Sequence, residues 1–165
     1  MEVKQLKIEE ENRKINSCVL TGHREIFEGF DAEKLEKTLK EIIKKGVFIF
    51  YNGGATGFDL ISAEILLKLK EENEKIKLIL CIPCPNQEKY YSEENKKKYD
   101  EIVNKADKKI LINDHYFRGC MNKRDTYMAD RGDMMIAYLK KQNGGTAYTV
   151  KYYQKKNPQK EIVFL

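Results

Sequence analysis

Residues 51–59 read Tyr51-Asn52-Gly53-Gly54-Ala55-Thr56-Gly57-Phe58-Asp59. This stretch joins a continuous apolar run to a segment whose apolar residues recur at helical spacing. A strand that leads through a glycine-rich turn into a helix can hold phosphate, because glycine lets the backbone approach the anion and the helix start carries unpaired N–H groups. The stretch therefore predicts an anion site at a strand–helix junction.

A second turn of the same kind follows the apolar run at residues 134–139 and reads Asn143-Gly144-Gly145-Thr146. One such turn is also explained as a tight connection between a strand and a helix. Two of them, each between a predicted strand and a predicted helix, favour a nucleotide-like ligand.

Apolar runs and helical patterns alternate along the whole chain. Strands are predicted at residues 17–21, 47–51, 76–82, 109–113, 134–139 and 162–165. The five helices predicted between them begin at a cap at Asp31, near Gly57, at a cap at Ser92, near Asn122 and near Thr146. This alternation indicates parallel crossovers, and so an α/β fold with a doubly wound, mostly parallel sheet of about six strands and helices on both faces.

Length and charge limit the classes of function. The 165 residues suit one compact domain, which we place at residues 17–165 after a charged N-terminal arm at 1–16. No apolar run reaches the roughly 18–20 residues that span a bilayer, and no signal-peptide pattern opens the chain, so we expect a cytoplasmic protein without a membrane partner. The net charge of +5 comes from mixed Lys/Glu faces rather than a basic stripe, which disfavours nucleic acid as a partner.

The cysteines do not indicate a metal or redox centre. Cys81 and Cys84 form a C-x-x-C pattern, but a zinc site needs two more ligands nearby, and a thioredoxin-like motif opens a helix whereas Cys81 ends a predicted strand. We expect reduced thiols, no metal and no cofactor. Two nucleotide-binding classes are also poor matches: the dinucleotide fingerprint lacks its acidic residue after the next strand, and neither glycine turn continues as a P-loop.

In doubly wound sheets ligands bind beyond the carboxyl ends of the strands. We expect Arg24 and Arg124 to pair with phosphate, although each could equally form an ion pair on the surface. The full set of expected ligand-binding residues is Thr21, Gly22, Arg24, Asn52, Gly53, Gly54, Thr56, Gly57, Asp59, Pro83, Arg124, Gly144, Gly145 and Thr146.

If the protein is an enzyme, the candidate acids and bases are Glu64, Asp59 and His23. Each also has a structural explanation: an exposed mid-helix glutamate, a carboxylate in a helix first turn, and a loop histidine bonded to backbone. The tyrosines at 90, 91 and 99 either stack on a base or pack against the protein.

Five motifs together resemble one family. They are Thr21-Gly22-His23-Arg24, Gly53-Gly54-Ala55-Thr56-Gly57-Phe58-Asp59, Pro83-Cys84-Pro85-Asn86-Gln87, Arg118-Gly119-Cys120-Met121-Asn122-Lys123-Arg124 and Gly144-Gly145-Thr146-Ala147-Tyr148. In order and spacing they resemble the YpsA-like branch of the SLOG superfamily over residues 17–165. The resemblance implies a Rossmann-like fold that binds a nucleotide or a nucleotide derivative, and a homodimer or higher homo-oligomer.

Within that superfamily the resemblance implies three alternative functions. Some SLOG domains sense signalling nucleotides in bacterial and phage conflict systems, which makes a non-catalytic sensor or sequestering protein the first expectation. The LOG branch hydrolyses nucleoside monophosphates at the N-glycosidic bond through P-G-G-x-G-T-x-x-E, but here no glutamate follows Gly144-Gly145-Thr146. The turn at 53–59 is also similar to that of DprA/Smf DNA-processing proteins, which makes a DNA-handling module the third alternative.

Overall fold

A computed structural model describes residues 14–165 of the protein. Residues 1–13 of the predicted N-terminal arm lie outside the described residues. In the part that is described, no helix is both long enough and apolar enough to cross a membrane.

Six parallel strands form one sheet in the described chain. They are β1 (Ser17–Gly22), β2 (Ile49–Asn52), β3 (Lys77–Ile82), β4 (Lys108–Leu111), β5 (Met134–Tyr138) and β6 (Ile162–Phe164). Their order is β4-β3-β2-β1-β5-β6, and every neighbouring pair is parallel. The chain winds outward from β1 to β4 and then returns to place β5 on the other side of β1, so the direction of winding reverses between β1 and β5.

The connections between the strands are helical. The helices are α1 (Ala32–Lys44), α2 (Phe58–Glu72), α3 (Glu93–Lys105), α4 (Cys120–Ala129) and α5 (Gly145–Lys156), and a short 3₁₀ helix covers Gln87–Tyr90. Helix α2 packs against both α1 and α3, while α4 packs against α5.

The core has two parts, one on each face of the sheet. Along β1, Cys18 and Leu20 belong to the cluster that α1, α2 and α3 cover, whereas Val19 belongs to the cluster that α4 and α5 cover. Met134 and Met135 divide between the clusters in the same way on β5. Since alternate residues of a strand point to opposite faces, helices lie on both faces, as the sequence predicted.

Local signals placed the element starts correctly to within two residues. The Asp31 carboxylate accepts a hydrogen bond from the Lys34 amide at 3.1 Å, and the Ser92 hydroxyl accepts one from the Asn95 amide at 3.1 Å, so both predicted caps are confirmed. Strand β2 begins at Ile49 rather than at residue 47, because the Val47 amide still donates to Ile42 at the end of α1. The 3₁₀ helix was not predicted.

Candidate functional site

A cavity of about 310 Å³ opens beside the carboxyl end of β1, where the winding of the sheet reverses. We call it the anion cavity. Its wall combines the end of β1 with the first turns of α2, α4 and α5, and eight predicted site residues line it. These are Thr21, Gly22, His23, Arg24, Asp59, Arg124, Gly145 and Thr146. Ligands of doubly wound sheets bind at such a reversal of strand order.

The three helices that begin at this cavity share one feature. The residues before their first turns are Gly57, Gly119 and Gly144, and none of these glycines has a side chain that caps the helix. Helices α1 and α3 do not contribute to the anion cavity, and both carry side-chain caps. Within residues 14–165 the first three amides of α5 and the second and third amides of α4 have no acceptor, so these two starts direct unpaired N–H groups and partial positive charge toward the cavity. The start of α2 differs, because its Phe58 and Leu60 amides donate to the carbonyl oxygens of His23 and Ala55 at 3.1 and 3.2 Å.

Two threonines add hydroxyl groups to the wall. Thr21 and Thr146 are each only 7% exposed, and both line the cavity. Neither hydroxyl forms a hydrogen bond with any residue in 14–165. Neither hydroxyl is sealed from the cavity, so each can donate to or accept from a group bound there.

Arg24 supplies a free positive charge at the mouth. It is exposed and lines the anion cavity, and its guanidinium forms no ion pair or hydrogen bond within the described residues. An arginine that no carboxylate neutralises is suited to a phosphate or carboxylate ligand. The prediction of Arg24 as a phosphate partner therefore keeps its structural basis.

Arg124 has a different environment. It is 3% exposed, and its Nε donates to Asp125 Oδ1 at 2.7 Å. Its Nη1 donates to the carbonyl oxygens of Gly53 at 2.5 Å and Cys81 at 3.3 Å. Arg124 lies in the cavity wall, and its Nη1 bonds hold the glycine turn and the end of β3 against α4, so it positions these two backbone segments.

Asp59 lies beside Arg124 in the same wall. Its Oδ2 accepts a hydrogen bond from the Ala55 amide at 3.2 Å, and the residue is 6% exposed. Burial raises the pKa of the Asp59 carboxyl to about 7, while the Arg124 charge opposes that rise. Asp59 is therefore a carboxyl group that exchanges its proton near neutral pH.

The glycine turn after β2 is held together internally rather than open to a ligand. The Asn52 side-chain amide donates to the Asp59 carbonyl oxygen at 2.9 Å, and its Oδ1 accepts from the Gly54 amide at 2.8 Å. A Cβ on Gly53 would lie 2.6 Å from Arg124 Cζ. At Gly57, with φ of 76°, a Cβ would lie 2.2 Å from the Arg24 carbonyl oxygen. These contacts leave no room for side chains at Gly53 and Gly57 and fix the backbone of the turn beside the cavity.

Some predicted site residues do not line the anion cavity. Thr56 lines a neighbouring cavity instead. Pro83 accepts a hydrogen bond from Asn113 Nδ2 at 2.9 Å through its carbonyl oxygen. The predicted residues that line neither cavity are Asn52, Gly53, Gly54, Gly57, Pro83 and Gly144.

Two of the candidate acids and bases have surroundings that do not favour proton transfer in the anion cavity. Glu64 is exposed and lines neither cavity, because it lies about 140° around α2 from Asp59 at about 100° per residue. His23 Nε2 accepts hydrogen bonds from the Lys140 and Lys141 amides at 2.8 and 3.1 Å. Burial and the nearby Lys141 charge lower the pKa of His23, so the ring is neutral, with its proton assigned to Nδ1 and its Nε2 lone pair already used.

A second cavity of about 900 Å³ adjoins the first, and both are lined by Arg24 and Met121. Three tyrosines (Tyr90, Tyr91 and Tyr116) line it, so we call it the aromatic cavity. Sequence reasoning missed Tyr116, because it stands in a loop without any periodic pattern. It also missed Met121, Asn122 and Asp125, although their spacing from Arg124 in one helix was a usable signal.

No disulfide joins Cys81 and Cys84 or any other cysteines of the described residues. All four thiols are free and buried, and residues 14–165 hold no group of three or more His, Cys, Asp or Glu side chains suited to a metal ion. Burial raises the pKa of the Cys81 thiol to about 12. The Cys84 thiol hydrogen-bonds to that of Cys120 rather than to Cys81.

Residues 30–164 match the model of the family YpsA, described as the YspA SLOG family. The chain belongs to this family. The UPF0398 protein BH1768 of Halalkalibacterium halodurans is 28% identical over 127 residues, which are 75% of this chain and 67% of that protein. The SLOG membership predicted from the five motifs is thereby confirmed.

Solved structures of DNA processing protein A (DprA) share the fold. The protein from Streptococcus pneumoniae superposes with a TM-score of 0.65 at 16% identity, over 92% of this chain and 50% of that one. The Helicobacter pylori protein, described with its single-stranded DNA binding mode, gives a TM-score of 0.65 at 20% identity, over 92% of this chain and 65% of that one. The YpsA family chain thus spans half to about two thirds of these structures, and the likeness shows a shared Rossmann-like fold alone.

Proposed function

We propose that this protein binds a nucleotide or a nucleotide-derived signalling molecule, with an anionic group in the anion cavity. The observation that carries the proposal is the set of donors without protein acceptors around one space. These donors are first-turn amides of α4 and α5, the hydroxyls of Thr21 and Thr146, and the unpaired guanidinium of Arg24. Phosphate is the group that such donors bind best in α/β proteins.

Sensing or sequestering comes ahead of hydrolysis in this proposal. The LOG motif glutamate has no counterpart after Gly145-Thr146, Glu64 faces away from the cavity, and His23 Nε2 is occupied by backbone amides. A general base needs a free lone pair within reach of the reacting atom. These three sites therefore offer no obvious base.

Hydrolysis of a nucleotide remains the second candidate because of Asp59. This carboxyl group lies in the cavity wall, and burial raises its pKa to about 7, a value suited to proton transfer at neutral pH. Incubation with a nucleotide panel, followed by chromatography, separates the two functions. Intact nucleotide supports a sensor, whereas released base or phosphate that disappears in Asp59→Asn supports a hydrolase.

The test of binding is calorimetry with AMP, ADP, ATP, NAD, ADP-ribose and cyclic nucleotides, on the wild type and on Arg24→Ala. We expect at least one nucleotide to bind, and Arg24→Ala to weaken it about 10-fold or more, since a charge-assisted hydrogen bond contributes roughly 1.5–3 kcal/mol. Arg131→Ala is the matched control, because Arg131 is exposed and precedes β5, at the amino ends of the strands and not at the carboxyl ends where the cavity lies. Absence of binding by every nucleotide, or equal losses in both variants, would contradict the proposal.

A single-stranded oligonucleotide belongs in the same panel, because the Helicobacter pylori structure is described with such a ligand. Preferential binding of the oligonucleotide over mononucleotides would replace the proposed function with DNA handling. The proposal also includes a homodimer or higher homo-oligomer, as the family resemblance implies. Light scattering on the purified protein measures its mass directly. A monomer at all concentrations would contradict the proposed oligomer and leave nucleotide binding untouched.

A further inference from the structure

The aromatic cavity lies beside the anion cavity, because Arg24 and Met121 line both. These two side chains therefore mark the place where the cavities meet. The larger cavity measures about 900 Å³, within the range of pockets that enclose small molecules.

Two tyrosines in this cavity are mostly exposed, and the Tyr90 ring has Lys89 Nζ 5.4 Å from its centre. Tyr90 is 89% exposed and Tyr116 is 71% exposed, yet both line the same space. Tyr90 stands at the end of the 3₁₀ helix after β3, and Tyr116 stands in the loop between β4 and α4. Two exposed rings that line one cavity offer flat surfaces on which a planar ligand can stack.

Tyr91 differs from these two because the protein fixes it. Its hydroxyl donates to the Gly54 carbonyl oxygen at 3.0 Å, and its ring meets the edge of Tyr99 with centroids 5.8 Å apart. Tyr91 therefore forms a rigid wall that connects the aromatic cavity to the glycine turn.

Polar groups in the same cavity are available for specific contacts. Asn86 and Asn95 both line it, and neither side-chain amide forms a hydrogen bond with residues 14–165. An amide that offers both a donor and an acceptor matches the edge of a nucleobase.

We propose that the aromatic cavity holds the base of the nucleotide, with Tyr90 and Tyr116 stacking on it and Arg24 contacting the phosphate between the two cavities. This inference rests on the proposed function, since it needs a nucleotide phosphate in the anion cavity. Stacking on an aromatic side chain contributes roughly 1–3 kcal/mol per base, so the tyrosines add affinity for the base that is separable from affinity for the phosphate.

The experiment compares AMP with ribose 5-phosphate, which lacks the base, by NMR titration of the full chain. We expect wild type to bind AMP about 10-fold or more tightly than ribose 5-phosphate. Tyr90→Ala with Tyr116→Ala should bring AMP close to the affinity of ribose 5-phosphate while leaving ribose 5-phosphate itself unchanged. Tyr90→Phe with Tyr116→Phe should restore the preference, because the rings remain.

Tyr148→Ala is the matched control, since Tyr148 is an exposed tyrosine on α5 that lines neither cavity. It should keep the wild-type preference for AMP. Equal binding of AMP and ribose 5-phosphate to wild type, or an unchanged preference in the double alanine variant, would overturn the base site and leave the proposed function intact. Failure of both probes to bind would overturn this inference, whereas the proposed function fails only if no nucleotide of the full panel binds.

Discussion

At the scale of single residues, Asp59 is the group whose chemistry the fold changes most. Burial raises the pKa of its carboxyl from 3.8 to about 7, so the folded protein holds this proton over a range in which the unfolded chain has lost it. The unfolding free energy must therefore change with pH over this range, because the folded and unfolded states bind different numbers of protons.

We therefore predict that Asp59 makes the protein less stable as pH rises. Between about pH 4 and pH 7 the unfolding free energy of wild type should fall relative to Asp59→Asn, with a slope of at most about 1.4 kcal/mol per pH unit, and then level off. Urea denaturation of both proteins at pH 5, 6, 7 and 8 measures this. Asp100→Asn, which removes an exposed carboxylate on α3, should follow wild type. Parallel curves for wild type and Asp59→Asn would show that Asp59 is ionised throughout.

Gly145 gives a second residue-scale test, because its position has room for a side chain. A Cβ there would meet only Asp125 Oδ2, at 3.8 Å. In Gly145→Asp the new carboxylate would itself interact with the uncapped start of α5 and compete with the ligand anion.

We expect Gly145→Asp to weaken nucleotide binding about 10-fold or more without loss of thermal stability. Gly145→Ala, the control of the same position without the charge, should bind within about twofold of wild type. Calorimetry with the best-binding nucleotide measures both variants. Equal losses in the two variants would mean that α5 contributes no anion contact.

At the scale of elements, the helices divide into two kinds by their starts. Asp31 and Ser92 cap α1 and α3 with side chains, while α2, α4 and α5 begin after glycines that provide no side-chain cap. The capped helices gain local stability, whereas α4 and α5 leave first-turn amides available to a ligand.

The cap of α1 should therefore affect stability and not binding. We predict that Asp31→Ala lowers the unfolding free energy by about 1 kcal/mol, because the Lys34 amide loses its acceptor. Asp31→Asn should remain near wild type, since asparagine caps helices equally well. Denaturant unfolding measures the unfolding free energy of each variant, and calorimetry measures its affinity for the nucleotide. A large loss of nucleotide affinity in Asp31→Ala would place α1 in the site.

At the scale of the whole molecule, the anion cavity joins the two helical layers. Its wall takes Asp59 from α2 on one face of the sheet and Thr146 from α5 on the other, with the end of β1 between them. A ligand there contacts both layers at once and stabilises the folded state by mass action.

Hydrogen exchange should report this bridging. With a saturating nucleotide, we predict slower amide exchange at residues 21–24, 120–125 and 144–147 together. Residues 157–161, which precede β6 at the amino end of the strands, should be unchanged and serve as the internal control. Protection confined to one of the three segments would show that the ligand does not span the cavity.

The sequence by itself determined the elements of this protein and their class. Glycine turns, side-chain caps and apolar periodicity act over a few neighbouring residues, so the turn at 51–59, the caps at Asp31 and Ser92, and the alternation of strands and helices were all readable. The same local patterns, taken together, were enough for the SLOG family.

The tertiary structure alone decided which side chains meet. Arg124 is buried against Gly53, 71 residues earlier, and Tyr116 faces the same cavity as Tyr90 across two separate loops. Glu64 faces away from the site because the packing of α2 fixed the rotation of that helix, and His23 lost its free lone pair to amides that follow β5. Such contacts depend on strand order and helix rotation, which result from burying the whole apolar surface at once, and so no local stretch of sequence specifies them.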